Sequence, residues 1–326
     1  GIYLNKNILK KFKAHLTENI STREQLDLQG YKVIYNDFDQ AVNSSPDLAI
    51  ISTPSSLHMS YAQICAEKGI NIFIEKPLSD THKGFKKLYD TVTSNNLFFK
   101  VGFQRRFHPQ LKEINDIIQR SGVGSIINVV MTVASYVPFW HPYEDFKDLY
   151  ACRKDLGGGV LLTEIHEFDL CIWYFGKPDF VTCVGGTYSN VGLDVEDTVH
   201  VTLDYEEFSV QINLTFWQKH AQRSIFIAGE EGSLSWNQDG NIFEERNYKD
   251  ENIRTEQEEI SNDFMFASQL NDIIQNHEPK KSSLNLLESF LSLSIVLAAK
   301  KSMEERRSVH LDEVVILEER VILYDR

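Results

Sequence analysis

The sequence predicts an α/β protein in two parts: a parallel sheet wound with helices, then an α+β region on an open, mostly antiparallel sheet. Two observations carry this. Over the first hundred or so residues, short apolar runs alternate with amphipathic stretches across short connections, and that alternation implies parallel strands with right-handed crossovers. From about residue 125, strand-like segments follow one another with turn residues between them, the pattern of an antiparallel sheet.

The elements follow in order. "GIYLNKNILKKFK" at the start reads as a helix with no strand before it, so the chain is expected to begin inside a folding unit. "DLAIIST" (47–53) is a continuous apolar run, as in a strand covered on both faces. "SLHMSYAQICAEKG" (56–69) reads as a helix with Leu57, Tyr61, Ile64 and Cys65 on one face and Gly69 as its stop. "INIFIE" (70–75) is a second buried strand, and "DTHKGFKKLYDTVTSNN" (80–96) an amphipathic helix on Phe85, Leu88 and Val92. "LFFKVGF" (97–103) is a third strand and "SIINVVMTVASYV" (125–137) a long one. Five strand segments follow up to "GNIFEER", and two helices, near 261–276 and 284–304, close the chain. The pattern changes without a low-complexity linker, which divides the chain into 1–105 and 106–326.

Composition sets bounds. Apolar residues are 42% and charged residues 25% of the 326, the balance of a soluble globular protein. The net charge is −14 and no basic stripe is present, which argues against a nucleic-acid partner. No apolar run approaches the ~20 residues of a membrane span. Cys65, Cys152, Cys171 and Cys183 form no CxxC pair and no zinc-ligand spacing, so no metal is expected. Reduced, buried thiols of a cytosolic protein are the expectation instead.

Ligands of parallel α/β sheets bind outside the carboxyl ends of the strands. Thr53-Pro54, Glu75-Lys76-Pro77 and Gly102-Phe103 all fall at such ends. A lysine at a strand tip can simply turn into solvent. It can also floor an active site, because lysine is seldom buried without a partner.

Taken in order, Thr53-Pro54 with His58, Glu75-Lys76-Pro77, Gly102-Phe103 with Arg106-Phe107 and Pro109, Gly157-Gly158-Gly159, and Ile165-His166-Glu167-Phe168-Asp169 resemble the glucose-fructose oxidoreductase / inositol dehydrogenase / rhizopine-catabolism (Gfo/Idh/MocA) family. Gly229-Glu230-Glu231-Gly232-Ser233 resembles a turn in that family's sheet domain. The resemblance implies a Rossmann-type domain followed by an open-sheet domain, bound NAD or NADP, and hydride transfer at a secondary alcohol of a sugar or sugar nucleotide. It also implies a homodimer or homotetramer paired through the open sheet. The family's glycine-rich phosphate loop precedes the first helix; here Gly1 alone stands there, and the rest is expected upstream. For the adenosine ribose, Glu18 would serve NAD, whereas Ser21, Thr22 and Arg23 would serve the 2′-phosphate of NADP. The family often has Asp four residues before its catalytic His, and here that position is Leu162, leaving Thr163 and Glu164 as the nearby polar candidates.

On this reading Lys76 and His166 are catalytic. Lys76 stabilises charge on the substrate oxygen, and His166 takes its proton, as an imidazole titrating near neutrality can. Asp169, one turn on, either orients the imidazole or supports a neighbouring element. Thr53, Pro54, His58, Glu75 and Arg106 line the cofactor side, with Arg106 equally suited to an interdomain ion pair. Tyr143 and Arg153 are substrate candidates together with Thr163, because aromatics stack on sugar faces and Arg forks suit phosphate or carboxylate; a solvated turn is the alternative for that segment. Two other functions use the same fold: a glycosidase with a transient redox step on bound NAD, and a non-catalytic dinucleotide-binding sensor or partner subunit.

Overall fold

The structure, a computed structural model, describes residues 37–315 apart from 259, 276–278, 280 and 281. The opening helix, Gly1 and the ribose candidates Glu18, Ser21, Thr22 and Arg23 lie outside the described residues.

Helix α1 (Phe38–Asn43) is capped by Asp37, whose side chain accepts from the Asp39 amide. Strands β1 (Leu48–Ile51), β2 (Asn71–Ile74) and β3 (Phe99–Val101) pair in parallel in that order. Helices α2 (His58–Glu67) and α3 (Phe85–Ser94) are the crossovers. The face that α2 buries differs from the one its spacing suggests: Met59, Ala62, Cys65 and Ala66 are buried, Tyr61 and Ile64 only half-buried, and Leu57 is exposed. Tyr61 is drawn aside to pack on Phe38 of α1, ring centroids 4.4 Å apart. Helix α3 buries Phe85, Leu88 and Val92 as its amphipathic stripe requires. It begins five residues later than the expected 80, because Gly84 takes a left-handed conformation (φ +88°) just before it.

Helix α4 (Pro109–Gln119), with proline in its first turn, leads into the second sheet. Among the described residues that sheet has nine strands. Strand β4 (Ile126–Tyr136) runs through its middle, followed along the chain by β5 (Phe180–Gly186), β6 (Thr198–Asp204), β7 (Ser209–Thr215), β8 (Trp217–Gly229), β9 (Gly232–Asn237), β10 (Ile242–Asn247), β11 (Ile253–Gln257) and β12 (Val309–His310). Their spatial order is β11-β10-β9-β8-β4-β7-β6-β5-β12. All pairs are antiparallel except β4 with β7. That parallel pair arises because residues 137–179 carry the chain out through helices α5 (Val160–Thr163) and α6 (His166–Phe175) before the β5–β7 meander returns.

One face of the sheet is buried through Val181, Cys183, Val199, Val201, Leu203, Val210, Ile212 and Leu214. It packs against α6 and the long helix α8 (Ser282–Glu305). Two serines of α8 satisfy strand amides in different sheets: Ser282 Oγ accepts from Phe99 N of β3, and Ser302 Oγ from Cys183 N of β5, each at 2.9 Å. Helix α7 (Asn262–Gln275) covers Phe73 and Phe98 with Ile273. The principal core runs without a break from the parallel sheet into the larger one. All four cysteines are buried and free of disulfides, and no helix among the described residues is long and apolar enough to cross a membrane.

Candidate active site

The three strand tips named from the sequence meet at one edge. After β1, Thr53 and Pro54 lead into a short turn. After β2, Glu75 and Lys76 precede Pro77 through a cis peptide bond. His58, at the start of α2, clips these two loops together: its ring nitrogens lie 2.6 Å from Pro77 O and 2.8 Å from Thr53 O. Burial lowers the His58 pKa, against the two carbonyls that favour its proton. Burial likewise raises the Glu75 carboxyl above its ordinary range, with Lys76 opposing.

Lys76 does not turn into solvent. Its Nζ donates to Thr163 O at 2.7 Å. Thr163 ends α5, and His166 opens α6 three residues on, so one hydrogen bond ties the parallel sheet's edge to the element that carries the histidine. The triple glycine before α5 is a close-packed joint, not the flexible segment a glycine run suggests. A Cβ on Gly158 would stand 2.5 Å from Tyr150 O, and one on Gly159 (φ +105°) 2.3 Å from Glu196 Oε1.

His166 is buried, with its ring edge-on to Phe103 at 5.9 Å. Burial holds its pKa well below the ordinary value, and the charges of Lys76, Arg105 and Arg223 push the same way. The imidazole is therefore neutral at physiological pH, and its Nδ1 has no hydrogen-bond partner among the described residues. Thr163 Oγ1 and Thr53 Oγ1 are also buried and unpartnered.

The other candidates divide. Asp169 does not orient His166: both its carboxylate oxygens are taken by Arg106, Nε–Oδ2 at 2.9 Å and Nη2–Oδ1 at 2.8 Å. Arg106 also reaches Glu288 Oε2 of α8 at 2.6 Å. Burial would lower the Arg106 pKa, but Asp169 and Glu288 raise it above its ordinary value. Arg106 thus makes the ion pair of the alternative reading, tying α6 to α8. Leu162 is core. Tyr143 is exposed and stacks on His141, and Arg153 forks onto Asp155 in solvent at 3.1 and 2.6 Å. Neither shares a contact with Lys76 or His166.

The sequence reading missed a buried ion cluster beside the histidine. Arg223, on β8, contacts Glu164 and lies 3.0 Å from Glu167 Oε1, and Arg105 sits against the same group. The Arg105-Arg106 doublet was a visible signal. Arg223, fifty-seven residues beyond His166 on a strand of mixed burial, gave none.

A parallel sheet with its ligand edge closed by a histidine-bearing helix from an open sheet is the architecture of a dinucleotide-dependent oxidoreductase. The chain belongs to the Gfo/Idh/MocA family. Residues 8–103 match the family model described as an oxidoreductase family, NAD-binding Rossmann fold, and residues 111–235 match the GFO/IDH/MocA C-terminal domain. It is similar to an uncharacterized oxidoreductase of Streptococcus pneumoniae (24% identical; 62% of this chain, 55% of that one). It is also similar to the rhizopine catabolism protein MocA of Rhizobium meliloti (26% identical; 48% of this chain, 47% of that one). The chain thus spans about half the length of these curated relatives. Among solved structures, levoglucosan dehydrogenase in complex with NADH superposes with a TM-score of 0.77 at 19% identity, covering 88% of this chain and 86% of that one. The first domain is an NAD-binding Rossmann domain, and the unpartnered Thr53 Oγ1 at its ligand edge fits such a cofactor.

Proposed function

We propose that the protein transfers a hydride between a nicotinamide cofactor, NAD or NADP, and a secondary alcohol of a sugar or related polyol. The observation that carries this reading is the neutral His166, with Nδ1 free, joined through Thr163 to Lys76 at the cofactor edge. When bound, the nicotinamide supplies the hydride acceptor. Everything else falls to the chain. His166 Nδ1 accepts the hydroxyl proton, which its depressed pKa leaves it free to do. Lys76 Nζ donates to the same oxygen, favouring negative charge there as the carbonyl forms. Thr163 Oγ1, buried and unpartnered, holds a second hydroxyl on this reading. Asp169 and Arg106 fix the helix that carries His166.

The same reading makes the protein a homodimer or homotetramer. The outward face of the large sheet exposes Val184 of β5 and Phe226 of β8, apolar area suited to a second copy. Cytosolic placement accords with four thiols free of disulfides.

The test is a cofactor-reduction screen over sugars, inositols and sugar nucleotides with NAD and NADP. Reduced cofactor should accumulate with at least one polyol. Tight cofactor binding with no turnover anywhere in the screen would instead favour the sensor reading. Release of an aglycone without net reduction would favour the transient-redox glycosidase.

A further inference from the structure

Glu196 is an acid bound to the joint that carries Thr163 and His166, and the chemistry described above makes no use of it. Its side chain is only 10% exposed. Helix α5 is a single turn of four residues, Val160–Thr163, too short to hold its own place. Its first amides have no partner within the helix. Glu196, just before β6, takes two of them: Val160 N donates to Glu196 O at 2.9 Å and Leu161 N to Glu196 Oε1 at 3.3 Å. So close an approach requires glycine at 159, where a Cβ would stand 2.3 Å from Glu196 Oε1. The base of Glu196 is fixed as well. The next residue, Asp197, is buried and accepts from Tyr188 N at 3.0 Å and from Ser189 N and Trp217 Nε1 at 2.9 Å. Its own amide donates to Gly186 O at 3.0 Å. At the other end of α5, Thr163 O accepts from Lys76 Nζ at 2.7 Å.

We propose that Glu196 is a positioning residue for hydride transfer: by holding the first amides of α5 it sets the Thr163 carbonyl, and through that carbonyl the Lys76 ammonium. The inference rests on the oxidoreductase reading of this site. Helix α5 is a strut about 6 Å long, so a displacement where Glu196 grips it reappears at Thr163 O. Lys76 follows, because that bond is what keeps its side chain from solvent. What the place asks of Glu196 is an acceptor oxygen at a fixed reach. A charge there is costly to bury, and burial raises the carboxyl above its ordinary range, with Lys300 opposing. Lys300 of α8 stands 3.8 Å away, beyond hydrogen-bond length. The two features separate by substitution. Glu196→Gln keeps the acceptor and the reach without the charge, whereas Glu196→Asp keeps the charge and withdraws it by one methylene.

The test reads Lys76 directly. Trace acetylation with acetic anhydride, without cofactor or substrate, is followed by peptide mass spectrometry. Exposed Lys249 is the reference, and Lys100, bound to Asp272 of α7, is the control for general loosening. In Glu196→Ala and Glu196→Asp, Lys76 labelling should rise about 5-fold, the factor that one ordinary hydrogen bond represents, while Lys100 is unchanged. Glu196→Gln should label as the parent protein does. Raised labelling in Glu196→Gln would show that the charge opposite Lys300 is what matters, and would overturn the inference. Unchanged Lys76 labelling in Glu196→Asp would overturn it too, as would a rise shared with Lys100. If circular dichroism shows that Glu196→Ala does not fold, the contrast between Asp and Gln decides. The second arm is kinetic and uses whichever polyol the cofactor-reduction screen shows to be oxidised. There Glu196→Asp should lower kcat ~10- to 100-fold, the cost of a misplaced reacting group, and should add little once Lys76→Met is present. An undiminished further loss in that background would overturn the inference. Labelling in the expected order, in a protein that oxidises nothing, would sink the oxidoreductase reading and leave the hold of Glu196 on Lys76 standing.

Discussion

Lys76 and Thr163 are joined by a 2.7 Å hydrogen bond, Nζ to carbonyl oxygen, across eighty-seven residues of sequence. The bond does two things. It anchors a charged side chain that would otherwise sample solvent, and it sets that charge beside His166. Lys76→Met should therefore lower kcat by ~10²–10³-fold, the usual worth of one preorganised donor at a developing oxyanion. Stability should fall only by about 1 kcal/mol, as for one hydrogen bond. Steady-state kinetics and urea melts on the same preparation check both, and a variant with normal kcat would take Lys76 out of the chemistry.

His166→Ala should lower turnover by ~10²–10⁴-fold, the usual worth of a general base. Combining it with Lys76→Met should cost less than the product of the two losses, because both groups act on one proton and one oxygen. NADH affinity, read by fluorescence titration, should hardly move in His166→Ala. Multiplicative losses in the double variant would mean the two residues serve separate steps.

Arg223 is the keystone of the buried cluster, holding Glu164 and Glu167 together. Arg223→Met removes the contacting partner of two buried carboxylates and leaves Arg105 as the nearby cation, and the expected loss is about 3–5 kcal/mol. Adding Glu167→Gln should recover part of it, since a neutral amide needs no counter-ion. Chemical denaturation of the single and double variants checks the sign. A double variant less stable than Arg223→Met alone would place Glu167's role elsewhere.

Much of this architecture was legible from local pattern. The continuous apolar runs at 47–53 and 70–75 become the parallel strands β1 and β2, and Phe85, Leu88 and Val92 become the buried stripe of α3. Periodicity reports burial directly, so these elements could be read. The ligand edge was legible too, because strand tips follow from strand order. Pairings that depend on distant sequence were not. Nothing local says that Asp169 turns to Arg106 and not to His166, or that Arg223 reaches α6. The packing at the glycine run was hidden in part for the same reason, because the carboxylate that crowds Gly159 belongs to distant Glu196, whereas the carbonyls against Gly158 come from residues 150–153 just before it. The parallel β4–β7 pair was hidden because it depends on the path of the intervening chain, not on either strand's composition.

His108 gives a pH signature. Its ring is buried, edge-on to Trp236 at 5.2 Å. Burial, and then the charge of Arg105, lower its pKa to about 4, with Asn241 opposing. The unfolded chain titrates near 6.5, so between about pH 6.5 and about pH 4 it binds a proton that the folded protein refuses. The stability contributed by the neutral ring is complete above the unfolded pKa and is lost as pH falls through this window. The full shift corresponds to a contribution on the order of 3 kcal/mol. His108→Phe keeps an aromatic against Trp236 but cannot titrate, so its stability should fall less steeply on acidification. Glu75 and Glu196, whose carboxyls burial raises, act in the opposite sense and shape both curves equally. The difference between the two proteins is therefore the diagnostic quantity. Urea midpoints from about pH 7.5 to about pH 4.5 should diverge below about pH 6.5, and parallel curves would show that His108 is protonated within the fold.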